Sequence, residues 1–92
     1  MTEIRWSPDA AADFARIVEY IRQDSNTAAH KIARAVYGRI SDLKDFPNMG
    51  RPGRVAGTRE LALAPLPFIV VYRVKEDRVE IARILHGAQR WP

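Results

Sequence analysis

Five basic side chains and one carboxylate in the second half of the chain have the residue types that phosphodiester chemistry requires. They lie on or just after predicted strands: Arg59, Glu60, Arg73, Arg83, His86 and Arg90. Cleavage of RNA without a metal needs a base near the 2′-hydroxyl, cations beside the phosphate and an acid for the leaving oxygen. A histidine titrates near neutral pH, Glu60 could act as the base, and arginines could hold the phosphate. The same residue types also occur on many surfaces that have no catalytic role.

Several of these residues also have a purely structural interpretation. His86, where the last strand meets Gly87, could be a half-exposed residue at a strand end. Arg73 is expected to pair with Glu80 across a hairpin. Arg83 lies among apolar residues, where a guanidinium without a partner is costly, so it needs either an internal carboxylate or an outside ligand. The residue types alone leave these alternatives open.

The distribution of charge along the chain indicates an acidic partner. Residues 1–50 carry seven Lys and Arg against seven Asp and Glu, whereas residues 51–92 carry eight against four. Seven of those eight cations are arginines, whose planar guanidinium matches phosphates and carboxylates. We therefore expect a polyanion or an acidic protein as the binding partner.

The end of the chain carries a further candidate for binding. Arg90 and Trp91 lie next to each other near the C-terminus, and both residue types are enriched among the anchors of protein interfaces. The alternative is that Trp91 folds back onto the sheet. Arg51 and Arg54, in the glycine-rich segment 48–57, are expected in an exposed loop.

The composition excludes several classes of site. The chain has no cysteine, so disulfides, thiolate nucleophiles and cysteine-bound zinc are ruled out. Its two histidines do not occur at a familiar metal-binding spacing, and phosphate-binding glycine loops and nucleophile motifs are missing. We therefore expect neither a metal nor a cofactor.

Length and hydropathy predict a single domain over residues 1–92, located in the cytoplasm and without a membrane partner. The 92 residues fit one domain with a thin core. No apolar run approaches the roughly 18–20 residues that cross a bilayer, and the first residues lack the features of a leader peptide.

Two capping signals and two apolar stripes predict a helical hairpin. Ser7 and Pro8 suit the start of a helix, and apolar residues follow with helical spacing, namely Phe14, Ile17, Val18 and Ile21. This first helix is expected from about Pro8 to Gln23. After caps at residues 25–27, a second apolar stripe contains Ile32, Val36, Ile40, Leu43 and Phe46, and Pro47 ends that helix. The very short connection makes the two helices antiparallel.

The remaining segments predict a mostly antiparallel sheet of about four strands, so the fold class is α+β. One short strand precedes the helices at residues 3–6, and three follow at 58–63, 68–74 and 79–85. The run at 68–74 is apolar on both faces, as expected for a central strand. If the turn after it is tight, paired positions add up to 153, which places Arg73 opposite Glu80.

Five strings in this order are similar to the RelE/ParE superfamily of toxins from type II toxin–antitoxin systems. The resemblance covers essentially the whole chain. It rests on Trp6-Ser7-Pro8 leading into Ala10-Ala11-Ala12-Asp13, Phe46-Pro47-Asn48-Met49-Gly50-Arg51-Pro52-Gly53, Gly57-Thr58-Arg59-Glu60-Leu61, Ile69-Val70-Val71-Tyr72-Arg73-Val74, and Val79-Glu80-Ile81 to Leu85-His86-Gly87. It implies a helical hairpin packed on an antiparallel sheet. It also implies a neutralising ParD-like or RelB-like antitoxin, bound in a toxin–antitoxin hetero-oligomer.

The resemblance leaves two targets, DNA gyrase for ParE-like members and mRNA on the translating ribosome for RelE-like members. RelE-like toxins usually carry an arginine just before the central strand, where this chain has Phe68-Ile69. The chain therefore resembles the ParE-like branch more closely. Arg59 matches the arginine of that branch's Gly-x-Arg-Glu string, and Arg83 with His86 match its Arg-x-x-His.

These matches define the expected sites. For a ParE-like protein, the residues expected to bind target or antitoxin are Arg51, Arg54, Arg59, Arg73, Arg83, His86, Arg90 and Trp91. For a RelE-like endonuclease, Arg59, Arg83 and His86 would be catalytic, with Glu60 as a possible base. A third alternative is an inactive family member that only binds its antitoxin.

Overall fold

The computed structural model describes residues 2–87 and Trp91, and it has the expected α+β fold. An N-terminal strand leads into a hairpin of two helices, and the later strands follow. The elements are β1 (Glu3–Trp6), α1 (Pro8–Arg22), α2 (Asn26–Ser41), a 3-10 turn (Asp42–Lys44), β2 (Arg51–Pro52), β3 (Arg59–Ala62), β4 (Phe68–Val74) and β5 (Arg78–His86).

The strands form one five-stranded sheet in the order β1-β5-β4-β3-β2. β1 runs parallel to β5, and every other neighbouring pair is antiparallel. The expected number of about four strands was too low by one. The additional strand, β2, lies in the segment predicted as an exposed loop, and Arg51 pairs there with Glu60. A two-residue strand that contains proline and is flanked by glycine has no strand pattern in the sequence.

Both predicted helix starts are confirmed. The Ser7 hydroxyl accepts a hydrogen bond from the Ala10 amide at 3.0 Å, and the Ser25 hydroxyl accepts one from the Ala28 amide at 3.1 Å. Each bond satisfies a backbone donor that the first turn of a helix leaves without a partner.

The second helix is shorter than its apolar stripe predicted. α2 ends at Ser41, and the chain tightens into the 3-10 turn, in which the Asp45 amide donates to the Asp42 carbonyl. This tightening changes the direction of the following side chains. Leu43 is still buried, but Phe46 is 63% exposed and does not join the core.

The core lies between the helical hairpin and one face of the sheet. Val36, Ile40 and Leu43 pack there against strand residues that include Tyr72 and Ile81. All five side chains are at most 1% exposed. Burial of side chains of this size contributes roughly 1.5–3 kcal/mol each. Within the described residues, no helix combines the length and the apolar character needed to cross a membrane.

The hairpin of β4 and β5 has the predicted register at its turn and then shifts. Arg73 lies opposite Glu80, as expected, but Val71 lies opposite Arg83 because Ala82 is the extra residue of a β-bulge. The carboxylate of Glu80 accepts a hydrogen bond from Arg78 Nε at 2.9 Å rather than pairing with Arg73. Arg73 therefore lacks the structural partner that the sequence suggested.

The hydroxyl group of Tyr72, in β4, forms hydrogen bonds that hold the segment after α2 against the sheet. It donates to the Pro47 carbonyl at 2.8 Å and accepts from the Gly50 amide at 2.8 Å. Gly50 is closely surrounded, since a Cβ atom there would lie 2.7 Å from the Tyr72 oxygen and 2.9 Å from the Glu60 carbonyl. Burial raises the pKa of Tyr72 despite the hydrogen bond from Gly50 and the nearby charge of Arg59, so the hydroxyl stays protonated.

Replacement of Tyr72 by phenylalanine should destabilise the fold. Tyr72→Phe leaves the Gly50 amide, a buried donor, without its partner, which costs about 1–3 kcal/mol of unfolding free energy. Chemical denaturation measures the loss. Tyr20→Phe is the matched control, because Tyr20 is 73% exposed and should change stability by less than about 0.5 kcal/mol. Equal stabilities for the two variants would contradict the role of the Tyr72 hydroxyl.

Candidate partner-binding surface

The side of the sheet away from the helices carries most of the candidate residues, and we call it the open face. Its side chains are those that alternate with the core residues along each strand. They are Glu3, Arg5, Arg51, Glu60, Ala62, Ile69, Val71, Arg73, Arg78, Glu80, Arg83 and Leu85. This surface combines five arginines with a central apolar strip, a composition that suits contact with another macromolecule.

Arg83 has the internal carboxylate that the sequence left open, and that carboxylate is Asp13 of α1. Arg83 Nε lies 2.7 Å from Asp13 Oδ2, and Arg83 Nη2 lies 3.1 Å from Asp13 Oδ1. Asp13 also accepts hydrogen bonds from the Ile84 amide at 2.9 Å and from Arg16 Nη2 at 2.6 Å. The side chain of Asp13 is only 4% exposed, so the buried charge is fully partnered.

These partners determine the ionisation of Asp13. Burial alone raises the pKa of this carboxyl group, but the hydrogen bonds from Arg83 and Ile84 and the charges of Arg83 and Arg16 outweigh burial. The pKa of Asp13 is therefore lowered below its ordinary value of 3.8. The hydrogen bond to Asp13 in turn raises the pKa of Arg83. Both groups are charged at neutral pH.

The position of Asp13 follows from where β1 ends. Beyond Trp6, the outer edge of β5 has no neighbouring strand, and the start of α1 supplies its hydrogen bonds. The Ser7 amide donates to the Ile81 carbonyl at 2.9 Å, and the Ser7 hydroxyl donates to the Ala82 carbonyl at 2.9 Å. Asp13 then accepts from the Ile84 amide. Sequence reasoning missed Asp13, although a carboxylate three residues after the buried Ala10 lies on the apolar side of α1.

Arg59 and Glu60 brace the loop before β3. Arg59 Nη1 donates to the Gly50 carbonyl at 2.6 Å and approaches the Asn48 carbonyl at 3.4 Å. Glu60 is buried and accepts from the Arg54 amide at 3.1 Å and from Arg51 Nη2 at 3.3 Å. Both side chains therefore have structural partners.

The residues matched to a nuclease do not converge. Arg83 belongs to the open face, whereas the register places Arg59 opposite Tyr72, on the side of the helices. His86 lies opposite Phe68, four residues further along β4, and contacts its ring edge-on at 6.2 Å. Four residues along a strand span about 13 Å. The three side chains are thus separated by both distance and sheet face.

Two arginines at the open face have no carboxylate within salt-bridge distance among residues 2–87 and Trp91. These are Arg73, which is half-buried, and Arg54, which is exposed next to the open face and contributes only its backbone amide to Glu60. The Arg51 side chain is also 70% exposed, and its contact with Glu60 is long at 3.3 Å. Arg90, which the sequence also suggested, lies outside the described residues.

Trp91 folds back onto the open face. Its ring centroid lies 5.9 Å from Cζ of Arg83, within the range of a cation–π interaction. The ring lines one groove with Arg73 and a second with Val71 and Leu85. Those two apolar residues are buried although no helix covers them. Tryptophan and arginine side chains that lie together are enriched at the centres of protein interfaces.

The described residues offer no metal site, since no three of their His, Asp and Glu side chains come together as ligands would. The open face itself presents arginine guanidiniums and the Trp91 ring, groups that suit recognition of another macromolecule. Acidic groups can pair with Arg54 and Arg73, and apolar groups can contact Trp91 and Ile69.

Replacement of Asp13 by asparagine should destabilise the fold in a pH-dependent manner. Asp13→Asn leaves Arg83 without its counter-charge. We expect the unfolding free energy at pH 7 to fall by about 2–3 kcal/mol, which is less than for a fully buried pair because Arg83 remains partly exposed. The folded-state pKa of Asp13 is lowered, so its stabilisation is present above about pH 4 and disappears as the pH falls through that pKa. The difference in unfolding free energy between wild type and Asp13→Asn should therefore be smaller in acid. Chemical denaturation at pH 7 and pH 3 measures this difference, and Asp24→Asn, at an exposed position, is the control. A difference that is the same at both pH values would contradict the role of the Asp13 charge.

Comparison with known proteins agrees with this fold. The family model for the ParE toxin of the type II toxin–antitoxin system parDE matches residues 4–91. The chain is 39% identical to the Y4kP protein of Sinorhizobium fredii over 97% of this chain and 92% of that protein. It is 35% identical to toxin RelE2 of Caulobacter vibrioides over 97% and 99% of the two chains.

Among solved structures, a chain of the chromosomal ParDE system from P. aeruginosa superposes with a TM-score of 0.84 at 31% identity, covering 94% of this chain and 96% of that one. A chain of the E. coli DinJ–YafQ toxin–antitoxin complex superposes with a TM-score of 0.61 at 15% identity, covering 95% and 93%, which shows the shared fold. This chain is a toxin of a type II toxin–antitoxin system and belongs to the ParE family.

Proposed function

We propose that this toxin inhibits DNA gyrase by binding to it, and that a ParD-like antitoxin neutralises the toxin. The observation that carries the proposal is the separation of Arg59, Arg83 and His86. Phosphodiester cleavage needs its base, acid and cations around one phosphate, whereas these three side chains lie on two faces of the sheet. Inhibition by binding needs no such convergence, and the resemblance to the ParE-like branch favours gyrase as the target.

The open face supports recognition of an acidic partner. Arg54 and Arg73 have no internal carboxylate among the described residues, and Trp91 lies beside Arg73 in the same groove. Uncompensated guanidiniums steer acidic partners and fix their orientation, and an aromatic neighbour supplies apolar contact area. A ParD-like antitoxin fits this surface if it presents carboxylates to the arginines. The ParDE system of P. aeruginosa provides the precedent for such a partner.

A ribosome-dependent mRNA endonuclease is the second candidate. The 35% identical relative in Caulobacter vibrioides is named RelE2, and the RelE-like members of the superfamily act on mRNA. In that case Arg59, Arg83 and His86 would have to contact the RNA from different sides or rearrange on the ribosome. An inactive chain that only binds its antitoxin is the third alternative.

Three assays distinguish these functions. Expression of the chain without an antitoxin should arrest growth, and unaffected growth would support the inactive alternative. The purified toxin should block supercoiling by DNA gyrase at stoichiometric concentrations and should leave mRNA intact in a translating ribosome. Cleaved mRNA together with normal supercoiling would replace gyrase by the ribosome as the target. If a folded sample has neither activity, both targets are wrong.

Charge reversal at the open face should weaken inhibition without unfolding the protein. Arg54→Glu and Arg73→Glu each place a carboxylate where an acidic partner is expected to bind. For each variant, the concentration that inhibits gyrase by half should increase at least about tenfold, which corresponds to a loss of about 1.4 kcal/mol of binding free energy. Arg34→Glu on the exposed side of α2 is the matched control and should inhibit like wild type. Equal inhibition by all four proteins would exclude the open face as the contact surface.

A further inference from the structure

β1 is an edge strand, and none of the described residues bonds to its outward backbone groups. The Glu3 amide donates to the Asp77 carbonyl at 3.3 Å and the Ser7 amide donates to the Ile81 carbonyl at 2.9 Å, so the odd-numbered residues face β5. Successive backbone groups alternate in direction along a strand. The amide and carbonyl groups of Ile4 and Trp6 therefore point away from the sheet, at its free edge.

The two edges of the sheet differ in how they are protected. The opposite edge, β2, has only two residues, and Pro52 lacks the amide that a new strand would need. β1 has four residues and no proline. Beside it, a groove between β1 and α2 is lined by Ile4, Trp6, Tyr37, Ile40 and Lys44. Among the described residues, neither a proline nor a neighbouring strand blocks the addition of a strand to β1.

We propose that β1 of one copy pairs with β1 of a second copy, antiparallel about a two-fold axis at Ile4. In this register the outward amide and carbonyl groups of each Ile4 bond to those of the other, as in a hydrogen-bonded antiparallel pair. Glu3 then lies opposite the partner's Arg5, and Arg5 lies opposite the partner's Glu3. The two sheets join into one, and their open faces lie on the same side.

The charges of β1 select this register. Glu3 and Arg5 both point to the open face, and their side chains are 60% and 62% exposed. Within one chain they form a surface ion pair, which contributes little. A shift by two residues in either direction places Glu3 opposite Glu3 or Arg5 opposite Arg5, and like charges opposite each other are unfavourable. Charged edge residues usually prevent pairing, but this opposite-charge spacing permits pairing with an identical strand in one register.

The predicted dimer is weak and reversible. A contact built on four residues of each strand is small, and interfaces below about 1,200 Å² in total belong to transient complexes. Two cross-strand ion pairs favour the dimer but contribute only modestly. The inference does not depend on the target of the toxin, because Glu3, Ile4 and Arg5 are not among the residues assigned to binding that target.

Charge swapping tests the proposed pairing. Sedimentation velocity of the purified chain over a concentration series should show a monomer–dimer equilibrium. Arg5→Glu makes β1 doubly acidic and Glu3→Arg makes it doubly basic, so each variant alone should dissociate at least tenfold more readily. An equimolar mixture of the two restores both opposite-charge pairs and should form a heterodimer. Asp24→Arg, in the exposed connection between the helices, should dimerise like wild type.

A backbone variant provides a second measurement. Ile4→Pro removes the outward amide at the centre of the two-fold contact while leaving the hydrogen bonds to β5, and it should abolish the dimer in the wild-type background. The proposal is wrong if the wild-type protein stays monomeric up to about 1 mM. That result would limit the free energy of association to less than about 4 kcal/mol. The proposal is also wrong if the mixture of charge variants stays monomeric, or if Ile4→Pro, still folded by circular dichroism, dimerises like wild type.

Discussion

The buried carboxylate of Asp13 joins the helical hairpin to the sheet at the point where the sheet loses a strand. Beyond β1 the edge of β5 would face an apolar helix with its backbone unpaired, which costs free energy comparable to a lost hydrogen bond. Asp13 satisfies the Ile84 amide and brings Arg83 into the same contact. Arg83 directly follows the bulge at Ala82, and the Ser7 hydroxyl bonds to the Ala82 carbonyl, so the irregularity of β5, the start of α1 and the ion pair lie at one place.

Because of this arrangement, Arg83 has a structural role, although sequence similarity would assign it a functional one. Arg83 matches the family's last-strand motif, yet both its Nε and Nη2 atoms bond to Asp13. Arg59 is similarly used to hold the Gly50 carbonyl, and Glu60 is used to hold the loop around Arg54. A small domain has a thin core, so polar side chains have to fix its loops. Under the proposed function, recognition falls to side chains that have no carboxylate partner among the described residues, above all Arg73 and Arg54.

Sequence signals predicted the parts of this fold that depend on neighbouring residues in the chain, namely helix starts and strands. Caps at Ser7 and Ser25 located both helix starts, and the alternating runs located β3, β4 and β5 within one or two residues. The hairpin register followed from the turn as far as Tyr72 and then failed at Ala82, because a bulge depends on the neighbouring strand and helix. Phe46 had the spacing expected of a core residue, but the backbone before it is a 3-10 turn. Such a turn does not continue the α-helical period, so the side chain does not point into the core.

The contacts that the sequence could not predict are those between residues distant in the chain. Asp13 and Arg83 are 70 residues apart, and Tyr72 reaches Pro47 across 25 residues. Neither partner is identifiable from periodicity, because a single carboxylate or hydroxyl group leaves no repeated pattern. A buried polar group must nevertheless find a partner, so the presence of Asp13 on the apolar side of α1 already required a cation somewhere in the fold. Arg83, the arginine placed among apolar residues, had the complementary requirement, and these two requirements satisfy each other.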